Sequence, residues 1–154
     1  LNTQMQNIPP LWLAGGIHDR SYFDKIKDYI RDNKLTEKVK ILGLIEHSKL
    51  IEYYSNAFAF IFPSTLEACP HTLIEVMSCQ VPMAVSNFEP MPEICTDAAI
   101  YFDPYNKKEI AQSINRLLSD NKLREQLSKS SLKRARFFDW DKSAEVLVQI
   151  LGKC

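Results

Sequence analysis

Residues 57–86 read AFAFIFPSTLEACPHTLIEVMSCQVPMAVS, and the pattern of this stretch changes twice. Ala57 to Phe62 is a short apolar run stopped by Pro63-Ser64, which predicts a buried strand and its exit loop. A helix is expected from His71 or Thr72 to about Cys79, and Pro82 to Val85 is again a continuous apolar run. Strands with no polar face are covered on both sides, and a strand–helix–strand order with such strands is the unit of a parallel sheet.

The same alternation extends in both directions. Upstream, Leu11-Trp12-Leu13-Ala14 is an apolar strand ended by Gly15-Gly16. Asp19 or Ser21 can cap a helix in which Tyr22, Phe23, Ile26, Tyr29 and Ile30 recur at helical spacing. Val39 to Leu42 is a second strand closed by Gly43, and His47 to Asn56 is a short helix with Leu50, Ile51 and Tyr54 on one side. Downstream, Met91 to Cys95 predicts a helical turn and Ala99 to Phe102 a fifth strand. After Asn106 everything is helical in pattern: a stripe of Ile110, Ile114, Leu117 and Leu118, another of Leu123, Leu127, Leu132 and Ala135, and a last helix from Asp141 to Leu151. The expected fold is α/β, a Rossmann-like parallel sheet flanked by helices, with residues 1–154 as a single domain. In such sheets ligands bind beyond the carboxyl ends of the strands, so the loops after Ala14, Leu42, Phe62 and Val85 are the ones to inspect.

Bulk properties narrow the partners. The 154 residues are 45% hydrophobic and 25% charged with zero formal net charge, the profile of a soluble globular protein with no electrostatic case for nucleic acid. Four cysteines (Cys69, Cys79, Cys95, Cys154) and three histidines (His18, His47, His71) are scattered without metal-ligand spacing. Free thiols in a cytosolic protein are the simplest reading. No apolar run approaches the roughly 20 residues of a membrane helix. The chain begins at Leu1 and not at Met, which reads as a fragment.

The loop after Phe62 holds Glu67, and Glu75 follows eight positions later, about one turn inside the predicted helix. The two carboxylates would bracket a helix N-terminus, whose unpaired N–H groups and partial positive charge suit a phosphate. Ionised carboxylates make strong hydrogen bonds with hydroxyls. Hydroxyls, phosphates and hydroxyls in that order describe a nucleotide sugar.

The segment PSTLEACPHTLIEVMSCQVPMAVSN resembles the donor-site motif of retaining glycosyltransferases of the GT-B fold, group 1: two glutamates separated by seven residues, a Met-x-Cys-Gly-x-Pro turn, and a strand ending in Ser. Glu67 and Glu75 match the glutamates, Met77 to Pro82 the turn, and Ser86 the serine. Further matches are Trp12 to Gly16, Val39 to Gly43, Met91 to Ala99, Tyr101 to Pro104, Leu117 to Asp120, and Phe138 to Asp141, so the likeness covers nearly the whole chain.

The resemblance implies that Glu67, as the catalytic-site residue, holds donor-sugar hydroxyls and that Glu75 holds the ribose. It implies that Ala68 and Cys69 lie against the donor, that the amides around His71, Thr72 and Leu73 face the pyrophosphate, and that Gly43, Leu44 and Ile45 line the base pocket. It implies no metal and no cofactor, because helix dipole and basic side chains neutralise the diphosphate. Asp139-Trp140-Asp141 is read as a helix opening with an Asp cap and a packed Trp, not as a metal signature.

Two departures stand out. Ala68-Cys69-Pro70 replaces the usual Gly-aromatic-Gly, which removes one amide donor at Pro70 and leaves the sugar open. Gln80 replaces the usual glycine at the helix end, so a positive φ is predicted there, at a cost of roughly 1 kcal/mol for a non-glycine residue.

The implied whole is one half of a GT-B enzyme, a hexosyltransferase moving a sugar with retention to a hydroxyl acceptor in polysaccharide or glycoconjugate synthesis. Its partners would be the nucleotide-sugar donor and an N-terminal acceptor domain of the same protein. The resemblance also implies an arginine and a lysine, on the strand and loop before this region, that grip the diphosphate; without them and the acceptor domain the isolated chain is expected to be inactive. The setting would be cytoplasmic, at the inner face of the membrane by peripheral association. The alternatives are a non-catalytic binding module and half of a sugar-nucleotide epimerase.

Overall fold

The computed structural model describes residues 8–152. These fall into two compact units, one ending at Tyr53 and the other beginning at Tyr54.

In the first unit, β1 (Leu11–Ala14) and β2 (Val39–Gly43) pair in parallel across α1 (Arg20–Asp32). Leu11 lies opposite Val39, and the register shifts between Leu13 and Ala14, so that Ala14 meets Gly43. Gly43 has φ 70, a left-handed value that a side chain resists, and its carbonyl accepts from the Gly15 N–H at 2.9 Å. Asp19 is the cap of α1, its carboxylate accepting from the Tyr22 N–H at 3.1 Å. Trp12 meets Tyr53 edge-on at 5.8 Å. Among the described residues of this unit none is buried.

In the second unit, β3 (Phe60–Phe62), β4 (Met83–Ser86) and β5 (Ala99–Phe102) form a parallel sheet with β4 in the centre. Ile61, Ala84 and Ile100 lie side by side, as do Phe62, Val85 and Tyr101. Every residue of β4 is fully buried, as its unbroken apolar run requires. Ala84, Ile100 and Phe102 pack with Leu117 of α5 (Lys107–Ser119) and Leu127 of α6 (Asn121–Ala135). The preceding α3 (His71–Ser78) buries Leu73, Val76 and Met77 completely.

Two arginines of α6 close the carboxyl ends of other helices. Arg124 donates to the Leu117 and Leu118 carbonyls at 2.7 and 3.2 Å. Arg134 donates to those of Ile94 and Glu93, both at 2.8 Å, at the end of α4 (Met91–Cys95). Each satisfies carbonyls that have no partner within their own helix and sets a positive charge at the negative helix end.

Boundaries follow the sequence patterns with instructive shifts. β3 begins at Phe60 and not at Ala57, because the end of α2 (His47–Ser55) turns back with the Ala57 N–H on the Tyr54 carbonyl at 2.9 Å. The five strands form a pair and a triplet among the described residues, not one continuous ladder. Of the predicted α2 stripe, Tyr54 is buried and Ile51 is exposed. The last helix, α7 (Trp140–Leu151), starts with Asp139 as its cap, accepting from the Asp141 and Lys142 N–H groups at 2.9 and 3.4 Å. Trp140 itself is 79% exposed and meets His71 in an edge-type arrangement at 6.0 Å between ring centres. It is therefore not the packed residue the sequence suggests. No helix among the described residues is long and apolar enough to cross a membrane. Cys69 is exposed, Cys79 intermediate and Cys95 buried, all as free thiols, and Cys154 lies outside the described residues.

Candidate functional site

The β3–α3 connection is tied to the sheet by one serine. Ser86, fully buried at the end of β4, donates its hydroxyl to the Ser64 carbonyl at 2.6 Å. The Ser64 hydroxyl in turn donates to a Glu67 carboxylate oxygen at 2.7 Å. A strand end thus sets a loop backbone, and the loop sets a carboxylate. In the sequence Ser86 matches a motif, and Ser64 reads only as a strand stop. No local period signals a bond spanning 22 positions.

Next comes the start of α3. Its N-cap is Pro70, with no side-chain cap, so the helix end keeps its partial positive charge uncapped. The three amides at that end are not equivalent. The His71 N–H donates to the Cys69 carbonyl and the Leu73 N–H to the Pro70 carbonyl, both at 2.9 Å. The Thr72 N–H donates to no backbone carbonyl among the described residues. The Leu73 side chain is wholly in the core, so only its backbone could face a ligand. His71, Ala68 and Cys69 are exposed, and Glu67 and Thr72 are intermediate.

Glu75 stands one turn along α3, partly buried. It hydrogen-bonds the Tyr54 hydroxyl, which also bonds Thr72. Burial first and the Glu75 charge second push the Tyr54 phenol up to about 12, so it remains a proton donor through the neutral range. The second unit therefore brings together Glu67, Thr72 and Glu75 with two hydroxyl partners, Ser64 and Tyr54. Neither partner stands out in the sequence, because a tyrosine on an apolar helix stripe reads as core.

The far end of α3 bears out the expectation for Gln80. Its φ is 59, and the Gln80 N–H bonds the Met77 carbonyl at 3.0 Å while the Val81 N–H reaches Val76 at 3.4 Å. That is a Schellman closure with a non-glycine residue in the left-handed position. Gly43, Leu44 and Ile45 lie in the first unit, at the end of β2 and just beyond it. Leu44 is 85% exposed, which leaves its side chain free of the unit's own packing. No group of three or more His, Cys, Asp or Glu side chains gathers as a cation-binding set among the described residues.

A family model described as glycosyl transferases group 1 matches residues 1–134. The chain is 32% identical over 103 residues to the O-antigen chain mannosyltransferase B of Escherichia coli, covering 67% of this chain and 27% of that protein. It is 30% identical over 94 residues to a Campylobacter jejuni N,N'-diacetylbacillosaminyl-diphospho-undecaprenol alpha-1,3-N-acetylgalactosaminyltransferase, covering 60% of this chain and 25% of the relative. The chain thus spans about a quarter of the length of these curated relatives. Among solved structures, the Anabaena protein HepE in complex with UDP superposes with a TM-score of 0.86 at 18% identity, over 95% of this chain and 41% of that one. Sucrose-phosphate synthase from Thermosynechococcus elongatus gives 0.81 at 24% identity, over 94% and 39%. The parallel strands flanked by helices are those of GT-B glycosyltransferases, and this chain belongs to the glycosyl transferases group 1 family.

Proposed function

We propose that this chain is the donor-binding domain of a glycosyltransferase that moves a sugar, with retention, from a nucleoside diphosphate sugar to a hydroxyl acceptor. The carrying observation is the arrangement around the start of α3: a helix end with no side-chain cap, a Thr72 amide that meets no backbone carbonyl among the described residues, Glu67 in the loop before it and Glu75 one turn inside it. The Thr72 N–H and the helix dipole suit the diphosphate. Glu67, held by Ser64, presents its other oxygen to hydroxyls of the sugar. Glu75 takes the ribose hydroxyls. The His71 and Leu73 amides would reach a phosphate only by sharing their present carbonyl contacts, so fewer donors converge here than the motif implies.

O-antigen mannosyltransferases among the relatives support a setting in polysaccharide or glycoconjugate synthesis, and the UDP complex of a structural neighbour supports a nucleotide donor. On this reading no metal is needed, the acceptor site and the arginine–lysine grip on the diphosphate belong to another part of the protein, and the isolated chain does not turn over. The work is done in the cytoplasm, at the inner membrane face.

Calorimetric titration of the chain with UDP and GDP tests the reading. Binding of at least one, lost by roughly tenfold or more in Glu75→Ala, is the expected result, the size of a lost hydrogen bond to a charged group. Turnover of a nucleotide sugar by the isolated chain would show that the catalytic set is already complete within it.

A further inference from the structure

Tyr54 looks, from its place on the α2 stripe, like one more core residue. Its surroundings say more. The ring is 8% exposed and packs edge-on against Phe60 at 5.9 Å, so it is held from the side. Its hydroxyl meets two polar side chains, Thr72 and Glu75, at the start of α3 and one turn along it. A phenol has one proton to give. With Thr72 donating to it, that proton goes to the Glu75 carboxylate.

We propose that Tyr54 is a positioning residue for Glu75: the chain Thr72 to Tyr54 to Glu75 fixes the rotamer in which the carboxylate receives the hydroxyls of its ligand. This rests on the donor-site reading of Glu75. A glutamate has three side-chain torsions to immobilise, and ordering them before the ligand arrives removes that cost from binding. A phenylalanine would pack on Phe60 equally well and leave Glu75 without this donor. The raised phenol pKa keeps the donor protonated through the neutral range, and Cys79 is the other titratable group whose charge reaches the ring. The arrangement parallels Ser64 on Glu67, so each carboxylate has its own hydroxyl.

Two measurements on the full chain test it. The first needs no ligand. The Tyr54 ring 13Cζ resonance at neutral pH, assigned by its loss in Tyr54→Phe, reports whether the phenol donates. It should move in Glu75→Ala. The second is titration with UDP and GDP of the wild type, Tyr54→Phe, Glu75→Ala and the double variant, with unchanged melting temperature as the check on folding. Tyr54→Phe should weaken binding by roughly fivefold to tenfold in the wild type, the effect of one charge-assisted hydrogen bond. It should cost nothing further in Glu75→Ala. The loss should also disappear for a 2',3'-dideoxynucleoside diphosphate, which lacks the hydroxyls Glu75 would hold. An equal loss in the Glu75→Ala background makes Tyr54 merely structural and overturns the proposal. So does an unmoved 13Cζ resonance while Glu75→Ala is impaired. If Glu75→Ala binds as the wild type does, the donor-site reading falls and takes the proposal with it, and the resonance shift then records the contact alone.

Discussion

The two units use the same grammar, parallel strands joined through a helix, and end in different states. In the second, β4 is buried along its whole length between neighbours on either side. In the first, β1 and β2 have only each other for pairing among the described residues, and Leu11, Trp12 and Ile41 remain 49%, 46% and 37% exposed. Beside α1 these strands leave an apolar groove of about 330 Å³ lined by Leu11, Leu13, Tyr22, Ile26, Tyr29 and Val39. A strand needs cover on two faces and pairing on two edges. The second unit has the strands and helices to supply all of it to β4, and this is where the two carboxylates and their hydroxyl partners lie.

Core truncation puts the largest strain on this contrast. Phe102, 1% exposed and surrounded by Leu117 and Leu127, should lose about 3–5 kcal/mol on Phe102→Ala, by transfer plus cavity. Trp12→Ala, at a half-exposed site, should lose no more than about 1–2 kcal/mol despite the larger side chain. Urea unfolding followed by circular dichroism reads both, and equal losses would end the distinction between the units.

A smaller effect tests whether the second unit's rigidity reaches the site. Ser86→Ala removes the donor to the Ser64 carbonyl and should cost about 1–2 kcal/mol. It should also speed hydrogen exchange in the loop of Ser64 to Cys69 while leaving β5 amides protected. Unchanged exchange in that loop would mean that the serine is only packing.

The smallest effects have opposite signs at two left-handed positions, one in each unit. Gly43→Ala meets no atom within 4 Å of the added Cβ, so its cost is the backbone strain alone, about 1 kcal/mol. Gln80→Gly relieves the same strain but adds freedom to the unfolded chain, and should raise stability by less than about 1 kcal/mol. Melting temperatures read both. A fall for Gln80→Gly would mean that the glutamine side chain contributes more than its conformation costs.

How much was legible follows the range of each interaction. The caps Asp19 and Asp139, the strands Leu11–Ala14 and Ala99–Phe102, and the positive φ at Gln80 all depend on a few neighbouring residues, and each could be read directly. β3 starts three residues later than the apolar run at Ala57 implies, because three apolar residues after a helix look like strand whether they extend or turn. Ile51 and Trp140 were expected in contact with the core, but both are exposed: periodicity names a face and not what covers it. Of the candidate site, Glu67 and Glu75 and their spacing could be read. The engagement of the His71 and Leu73 amides could not, since it depends on the bend at Pro70.

The sequence by itself determined the alternation of strands and helices, the parallel class of the sheet and the identity of the two carboxylates, because apolar period, proline and glycine stops and residue spacing are written in local order. Only the tertiary structure decided which carboxylate is held by which hydroxyl. Ser64 meets Glu67 because Ser86 ties down its carbonyl from the next strand, and Tyr54 meets Glu75 because α2 and α3 deliver them to one place. The Ser86–Ser64 and Tyr54–Glu75 contacts join residues about 20 positions apart, and their geometry exists only once the sheet has brought the segments together.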